Sequence, residues 1–172
     1  MRWLILAVTI VFISGCSHAG GGDYTTGDIR GINHTPNVIN YVKVNGRGGP
    51  NISVYGEGGG YCCIMLPMKW TPGLKARIEW EVDPNPDEFI PMKKRGSGYE
   101  EVAYARHAAN YQTHTAVVDI PQYGKERCGI SVHFLPCNQV KVTTVCQGYG
   151  TPGYPIKEPL NMKEPAQCPK QD

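Results

Sequence analysis

The nonapeptide Leu-Lys-Ala-Arg-Ile-Glu-Trp-Glu-Val, residues 74–82, has the most regular hydrophobic pattern in the chain. Apolar and charged residues alternate along its whole length. Side chains on a β-strand point alternately to opposite faces, so this pattern predicts a strand with one face in the core and one face in solvent. The apolar side chains are Leu74, Ala76, Ile78, Trp80 and Val82.

Stretches on both sides of this nonapeptide are also predicted as strands. They are residues 28–34, 38–44, 61–67, 113–120, 128–135 and 139–146. Residues 99–109 fit a strand or a short helix, and their neighbours favour a strand. The chain has 21 glycines and 14 prolines, which interrupt helices and favour turns. The sequence therefore predicts an all-β fold, an immunoglobulin-like β-sandwich of about seven to nine strands.

The N-terminus has the pattern of a bacterial lipoprotein signal. A positively charged start precedes an apolar run of about eleven residues, whereas a membrane-spanning helix needs roughly twenty. Ser14 and Gly15 stand directly before Cys16, as in the lipobox, where the cysteine is lipidated and becomes the new N-terminus. We expect residues 1–15 to be removed and Cys16 to anchor the protein. Ser17, in the place where an aspartate retains lipoproteins at the inner membrane, indicates the periplasmic face of the outer membrane.

Three regions are expected after the signal. Residues 16–28 are small and polar and are predicted as a flexible tether from the lipid. Residues 29–147 are predicted as the β-sandwich domain. Residues 148–172 are rich in proline and glycine and are predicted as a tail that Cys168 pins to the domain.

Six cysteines besides Cys16 are expected to form disulfides, because exported proteins reside in oxidising compartments. Several pairings are open. On a strand, Cys62 would share the core face with Ile64, and Cys128 would also point inward, so a Cys62–Cys128 bridge is the first expectation. A bridge between the neighbours Cys62 and Cys63 is the lesser option. The six cysteines are Cys62, Cys63, Cys128, Cys137, Cys146 and Cys168.

The sequence contains no specific catalytic, cofactor or metal motif. G-x-S-x-G, H-E-x-x-H, the P-loop and the dinucleotide fingerprint are all absent. Zinc is disfavoured because no C-x-x-C occurs and periplasmic thiols oxidise. The net charge of +2 is too small to attract nucleic acid. We therefore expect no enzyme activity, no cofactor, no metal and no nucleic-acid partner.

Several motifs spread over the mature chain resemble a family of small bacterial lipoproteins with a domain of unknown function, encoded beside type VI secretion phospholipase effectors. These motifs are the lipobox at Cys16, Gly31-Ile32-Asn33-His34-Thr35, the glycine-rich approach to Cys62-Cys63, Leu66-Pro67, Trp70-x-Pro72-Gly73 and Val132-His133-Phe134-Leu135-Pro136-Cys137. The resemblance implies an immunity protein that waits in the periplasm. Its partner would be an incoming lipase of the α/β-hydrolase type, which it binds and neutralises.

Occlusion of the effector by surface loops is the expected mechanism, and two polar loops are the candidates for it. They span residues 83–88 and 93–101, and tyrosine is common where proteins contact each other. The candidate partner-binding residues are Asp87, Glu88, Lys94, Arg95, Tyr99 and Glu100.

A structural role is the alternative to immunity. An outer-membrane β-sandwich lipoprotein that anchors a secretion or envelope assembly would share the lipid and the fold. It would differ in its partner, since it would bind a component of the assembly and no toxin.

Overall fold

Eight β-strands and one α-helix make up the fold in this computed structural model, which describes residues 23–169. The strands are β1 (Tyr24–Asn33), β2 (Val38–Val44), β3 (Arg47–Gly48), β4 (Glu57–Pro67), β5 (Lys75–Asp83), β6 (Gln112–Asp119), β7 (Gly129–Leu135) and β8 (Gln139–Thr143). The helix α1 (Glu101–Ala108) lies between β5 and β6, and a 3-10 turn (Pro136–Asn138) joins β7 to β8.

The strands form two four-stranded sheets with a shared core. The first sheet has the order β4-β1-β7-β8 and the second has the order β3-β2-β5-β6. Neighbouring strands are antiparallel except β1 and β7, which are parallel. The prediction of a disulfide-linked β-sandwich of seven to nine strands is confirmed. Core side chains come from both sheets and include Ile29, Ile64, Ile130, Val132 and Phe134 from the first and Val42, Ile78 and Trp80 from the second.

The strand β5 has the alternation that residues 74–82 predict. Ala76, Ile78, Trp80 and Val82 are buried, and the charged residues between them lie on the outer face. The Trp80 ring lies 5.8 Å from the ring of Phe134, between centroids, so it bridges the two sheets. Burial of an apolar side chain of this size contributes about 2–3 kcal/mol, which makes β5 a major source of stability.

The parallel pair of β1 and β7 requires glycine where the two strands begin to pair. Gly129 has a φ of +93°, and a Cβ atom placed on it would lie 2.1 Å from the carbonyl oxygen of Asp28. A Cβ atom placed on Gly27 would lie 2.4 Å from the backbone nitrogen and Cα of Gly129. A side chain at either position would therefore separate the strands.

The C-terminal segment, residues 148–169, covers the outer face of the first sheet as a third layer. The Met162 N–H donates to the carbonyl of His34 (2.9 Å), and the Cys137 N–H donates to the Glu164 carboxylate (2.8 Å). Lys141 on β8 forms an ion pair with Glu158. The Cys137–Cys168 disulfide holds the end of the segment, at the cysteine expected to pin it.

The disulfide expected between Cys62 and Cys128 is wrong. The pairs are Cys62–Cys63, Cys128–Cys146 and Cys137–Cys168. The register between β1 and β4 shifts between Gly27 and Asp28, so Ile64 pairs with Gly27 whereas Cys62 pairs with Asp28. This bulge turns Cys62 away from the core face of Ile64 and leaves it exposed. It also leaves Cys63 unpaired in the ladder.

The last part of the predicted tether, residues 24–28, is strand instead, because β1 begins at Tyr24. Tyr24 pairs with Pro67 on β4, and Asp28 pairs with both Cys62 on β4 and Gly129 on β7. The backbone of this polar stretch is thus stabilised by two neighbouring strands that its own composition does not reveal. Residues 1–22 and 170–172, and with them the predicted signal and Cys16, lie outside the described residues.

Candidate functional site

The connection between β5 and β6, residues 84–111, contains all six candidate partner-binding residues. It begins directly after β5, in a proline-rich stretch that stops the ladder. It continues through a tight turn and α1 before the chain enters β6. The two predicted contact loops, residues 83–88 and 93–101, therefore belong to this one connection, apart from Asp83 at the end of β5.

A small hairpin-like turn forms the middle of this connection. Met92 and Tyr99 form an isolated antiparallel bridge, and the Lys93 N–H donates to the Gly98 carbonyl at 3.0 Å. Gly96 and Gly98 both have positive φ angles, which the reversal requires. The turn places the exposed side chains of Lys94 and Arg95 at its tip.

The helix α1 follows this turn. The prediction of a strand over residues 99–109 is therefore wrong. The Glu100 carboxylate caps the helix by accepting from the Ala103 N–H at 2.7 Å. Arg106 and His107 lie in the last turn, where positive charge is favourable. These capping signals, with the helical spacing of Val102, Ala105 and Ala109, outweigh the strand pattern because the segment has no neighbouring strand to pair with.

The buried His107 ties α1 to the end of β5 and to the connection. Its Nδ1–H donates to Glu88 (2.8 Å) and its Nε2–H donates to Asp83 (3.0 Å). Both partners are carboxylates that can only accept, so the arrangement fits an imidazolium. The hydrogen bond that His107 donates to Glu88, reinforced by the one to Asp83, raises the pKa of His107 against the opposing effect of burial. The Tyr111 ring packs edge-on against it at 5.5 Å.

An apolar patch lies on the outside of the connection. It comprises Phe89, Met92, Tyr99 and Tyr104, which line one shallow depression with Asp87 and Glu88, and these are four of the ten exposed large hydrophobic side chains in residues 23–169. Phe89 is 83% exposed and Met92 is 61% exposed. The rings of Tyr99 and Tyr104 stack in parallel at 6.0 Å. Such a concentration, rimmed by charge, is typical of a surface that contacts another molecule.

Of the six predicted partner-binding residues, four are available to contact a partner and two hold the connection together. Asp87, Lys94 and Arg95 are exposed at the rim of the apolar patch, and Tyr99 belongs to the patch itself. Glu88 and Glu100 have internal roles, since their carboxylates bind His107 and the start of α1.

Sequence reasoning missed Phe89, Met92 and Tyr104. For Phe89 and Met92, the available signal was the presence of large apolar residues in a loop between Pro86 and Gly96, where solvent-exposed loops normally carry polar ones.

A second polar cluster lies beneath the C-terminal segment, where His34 and His133 form a chain of hydrogen bonds with Tyr154. The Pro159 carbonyl is 2.8 Å from His34 Nδ1, so that nitrogen must carry the proton. His34 Nε2 therefore accepts from His133 Nδ1–H at 2.8 Å, and His133 Nε2 accepts from the Tyr154 hydroxyl at 2.7 Å. Burial, and then the proximity of His34, lower the pKa of His133 to about 3. All four imidazole nitrogens are occupied while both rings are neutral.

Two remaining features of the part of the chain that the structure describes are its potential metal ligands and the apolar character of its helices. Within residues 23–169, the one group of three potential metal ligands is Cys137, Glu164 and Cys168, and its two sulfur atoms are joined to each other. In the same part of the chain, no helix combines the length and the apolar character needed to cross a membrane.

Comparison with known proteins identifies a family. A family model described as "Protein of unknown function (DUF3304)" matches residues 32–142, which is more than half of the chain. The match begins near the end of β1 and ends in β8, so it includes the β5–β6 connection, the apolar patch, His107 with its two carboxylates, and His34 and His133, but not Tyr154 or Pro159. No curated protein and no solved structure matches the chain.

Proposed function

We propose that this chain, which belongs to the DUF3304 family of proteins of unknown function, is an immunity protein that binds and occludes a type VI secretion phospholipase effector. It acts as a lipoprotein, anchored through Cys16 at the periplasmic face of the outer membrane. It performs no catalysis and uses no cofactor. Its partner is the effector encoded by the neighbouring gene.

The observation that carries this proposal is the apolar patch on the β5–β6 connection. A side chain such as Phe89, with 83% of its surface in water, is unfavourable unless another molecule covers it for part of the protein's life. Tyrosine, methionine and phenylalanine dominate the patch, and these residues are enriched where proteins bind each other.

The surroundings of the patch support tight binding. His107 holds the base of the connection between Asp83 and Glu88, and the Met92–Tyr99 bridge holds its turn. A surface that is already ordered loses less conformational entropy on association, so more of the contact energy appears as affinity. Toxin and inhibitor pairs need such affinity because one escaped toxin molecule can act many times.

The chemistry of the patch also suits a lipase as partner. An enzyme that acts on phospholipid must present an apolar surface to its substrate around the active-site opening. The patch offers complementary apolar side chains, and its rim carries both signs of charge through Asp87, Lys94 and Arg95. The same contact would exclude lipid from the active site, which is occlusion without any chemical step.

The remaining features fit the periplasm. Three disulfides cross-link cysteines within residues 23–169, and disulfides persist in oxidising compartments. The buried histidine chain is saturated by Pro159 and Tyr154, so neither ring offers a free nitrogen as a catalytic base. Binding therefore accounts for the surface chemistry better than catalysis does.

The direct test is a titration of the neighbouring gene's product with the mature protein, disulfides intact, while phospholipid hydrolysis is followed. We expect hydrolysis to stop at a one-to-one ratio and the two proteins to co-elute on size exclusion. A lipase of the same fold from an unrelated gene serves as the control and should remain active. Full hydrolysis without a complex would contradict the proposal and would favour the structural anchoring role.

A further inference from the structure

A second group of exposed apolar side chains lies where β1 and β4 meet at the start of the fold. Tyr24 and Met65 are each 53% exposed, and Met68 is 48% exposed. Tyr24 pairs with Pro67 and Thr26 pairs with Met65, while the Met68 N–H donates to the Asp23 carbonyl at 2.7 Å. We call Tyr24, Met65 and Met68 the β1–β4 end patch.

The register shows that Tyr24 and Met65 point away from the core, and Met68 is exposed just beyond the end of β4. Residues directly opposite each other on antiparallel strands share a face, so Tyr24, Pro67 and Met65 lie on one side of the sheet. The intervening Leu66 and Ile64 are buried on the other side, in the sandwich core. Tyr24 and Met65 therefore belong to the outer face of the first sheet, in a part that is exposed to solvent, and Met68 completes the patch at the end of β4.

A cationic group borders the end patch. Arg127 donates from Nη2 to the Met68 sulfur at 2.8 Å, and its guanidinium lies 5.6 Å from the centroid of the Tyr123 ring. Tyr123 in turn donates its hydroxyl to the Pro67 carbonyl at 2.9 Å. The same stretches of chain also carry exposed Lys69 and Lys125, with Asp23 and Glu126 as the acidic residues.

The distance to Cys16 shows which molecule is nearest to this surface. Seven residue steps separate Cys16 from Asp23, and a fully extended chain of that length spans at most about 25 Å. Because the Asp23 carbonyl is bonded to Met68, the β1–β4 end is the part of the fold that this short connection holds close to the anchor. This step rests on the proposed lipidation of Cys16.

We propose that the β1–β4 end patch rests on the phospholipid bilayer to which Cys16 is anchored. The Tyr24 ring lies at the level of the headgroups, where amphipathic rings are favoured, and the two methionine side chains enter the region beneath them. Arg127 pairs with lipid phosphate while its stem stays on the apolar surface. The protein then has one preferred orientation, with the outer face of the second sheet turned away from the membrane.

Depth-dependent fluorescence quenching tests this orientation. The chain beginning at Cys16, with its disulfides formed, is coupled through that thiol to maleimide lipid in phosphatidylethanolamine–phosphatidylglycerol vesicles that contain brominated acyl chains. Met65→Trp reports on the end patch. Val117→Trp is the matched control, because Val117 is 58% exposed on the outer face of the second sheet. Emission of the unsubstituted protein, from Trp70 and Trp80, is subtracted.

We expect brominated lipid to reduce the added emission of Met65→Trp and to leave that of Val117→Trp unchanged. Tyr24→Trp provides a second reporter if Met65→Trp does not fold, and it should behave in the same way. Equal quenching at both faces, or none at either, would overturn the proposal. A blue shift of Met65→Trp without quenching would mean that a second copy of the protein covers the patch, which also overturns it.

The failure of this inference is distinguishable from a failure of the proposed anchor. Chemical coupling places the protein on the vesicle whether or not cells lipidate Cys16. Lipidation itself is tested by metabolic labelling with palmitate, which should mark the wild-type protein and leave Cys16→Ala unlabelled. A missing label would contradict the anchor, whereas the quenching result reports only on the surface that faces the bilayer.

Discussion

His107 couples the stability of the β5–β6 connection to pH. Its imidazolium donates to Asp83 and Glu88, and these hydrogen bonds raise its pKa above the ordinary value. A raised pKa in the folded state means that the stabilisation is complete below the unfolded-state pKa of about 6.5 and is lost as pH rises through the folded-state value. Neutral or acidic conditions therefore favour the ordered connection.

The variant His107→Gln tests this linkage. We expect it to lower the free energy of unfolding by about 2 kcal/mol at pH 5.5, because buried hydrogen bonds to charged groups are lost. The difference from wild type should shrink towards pH 9, as wild type loses its own imidazolium. Urea unfolding across this range measures both values.

His114→Gln is the matched control for pH. Burial lowers the pKa of His114, so protonation of this histidine destabilises the fold, whereas protonation of His107 stabilises it. As pH falls below about 6.5, the unfolded state takes up the proton on residue 114 before the folded state does. Its replacement should remove a loss of stability at low pH and change little at high pH. A difference between His107→Gln and wild type that stays constant over the range would contradict the role given to the imidazolium.

Phe89 is the residue at which the proposed partner surface is most easily tested. We expect Phe89→Asp to weaken effector binding by about 2 kcal/mol or more, since central aromatic side chains dominate interface energy. Stability should be nearly unchanged because the side chain is exposed. Binding is measured by calorimetry, and Val117→Asp, at an exposed position on β6, is the control. Equal binding of both variants would exclude the apolar patch as the interface.

Tyr154 supplies the proton that His133 accepts beneath the C-terminal segment. Tyr154→Phe leaves His133 Nε2 buried without a donor, which costs about 1–3 kcal/mol of folding stability. Urea unfolding measures the loss, and trypsin cleavage at Lys157 reports on release of the segment. Tyr55→Phe is the control because its hydroxyl makes only a 3.4 Å hydrogen bond to the same segment. Similar losses in both variants would contradict a specific role for the histidine chain.

Disulfides act on whole elements, and their effects should follow the length of chain that they close. Cys137–Cys168 closes 31 residues and attaches the C-terminal segment, whereas Cys128–Cys146 closes 18. Loop-closure entropy predicts losses of about 3–4 kcal/mol when either bridge is replaced by a pair of serines. The neighbours Cys62 and Cys63 close no loop, so their double replacement is the control and should cost the least. Thermal or urea unfolding of the three variants gives the order, and a large loss for Cys62 and Cys63 alone would contradict the loop-closure account.

At the scale of elements, the helix α1 depends on contacts at its two ends. Residues 99–109 carry weak patterns of both helix and strand, and their outcome depends on the Glu100 cap and on the absence of a paired strand. His107 then anchors the helix to Asp83 on β5. The two carboxylates that hold His107 lie 24 and 19 residues before it, so no local window of sequence reveals the contact.

At the scale of the whole molecule, residues 23–169 form a sandwich with a third layer, and they expose two apolar surfaces. The C-terminal segment covers the outer face of the first sheet through Tyr154, Glu158 and Cys168. The outer face near Tyr24 and the β5–β6 connection stay uncovered. We propose that the bilayer and the effector cover these two surfaces, so that one small domain is held to the membrane while it presents its binding surface.

The sequence by itself determined most of the strands and the sandwich. The alternation of apolar and charged residues, as in residues 74–82, is a local property of each segment, and it marks a half-buried strand whichever strands lie beside it. The predicted strand at residues 38–44 coincides with β2, and those at 113–120, 128–135 and 139–146 overlap β6, β7 and β8.

Only the tertiary structure decided the disulfide pairs, the helix in the β5–β6 connection and the packing of Tyr154 and Ile156 from the C-terminal segment. Each depends on groups far apart in the chain. A one-residue bulge between the Gly27–Ile64 and Asp28–Cys62 pairs was enough to turn Cys62 out of the core. The apolar patch likewise exists only because the turn and α1 bring Tyr99 and Tyr104 to the same exposed surface as Phe89, which no periodicity along the chain encodes.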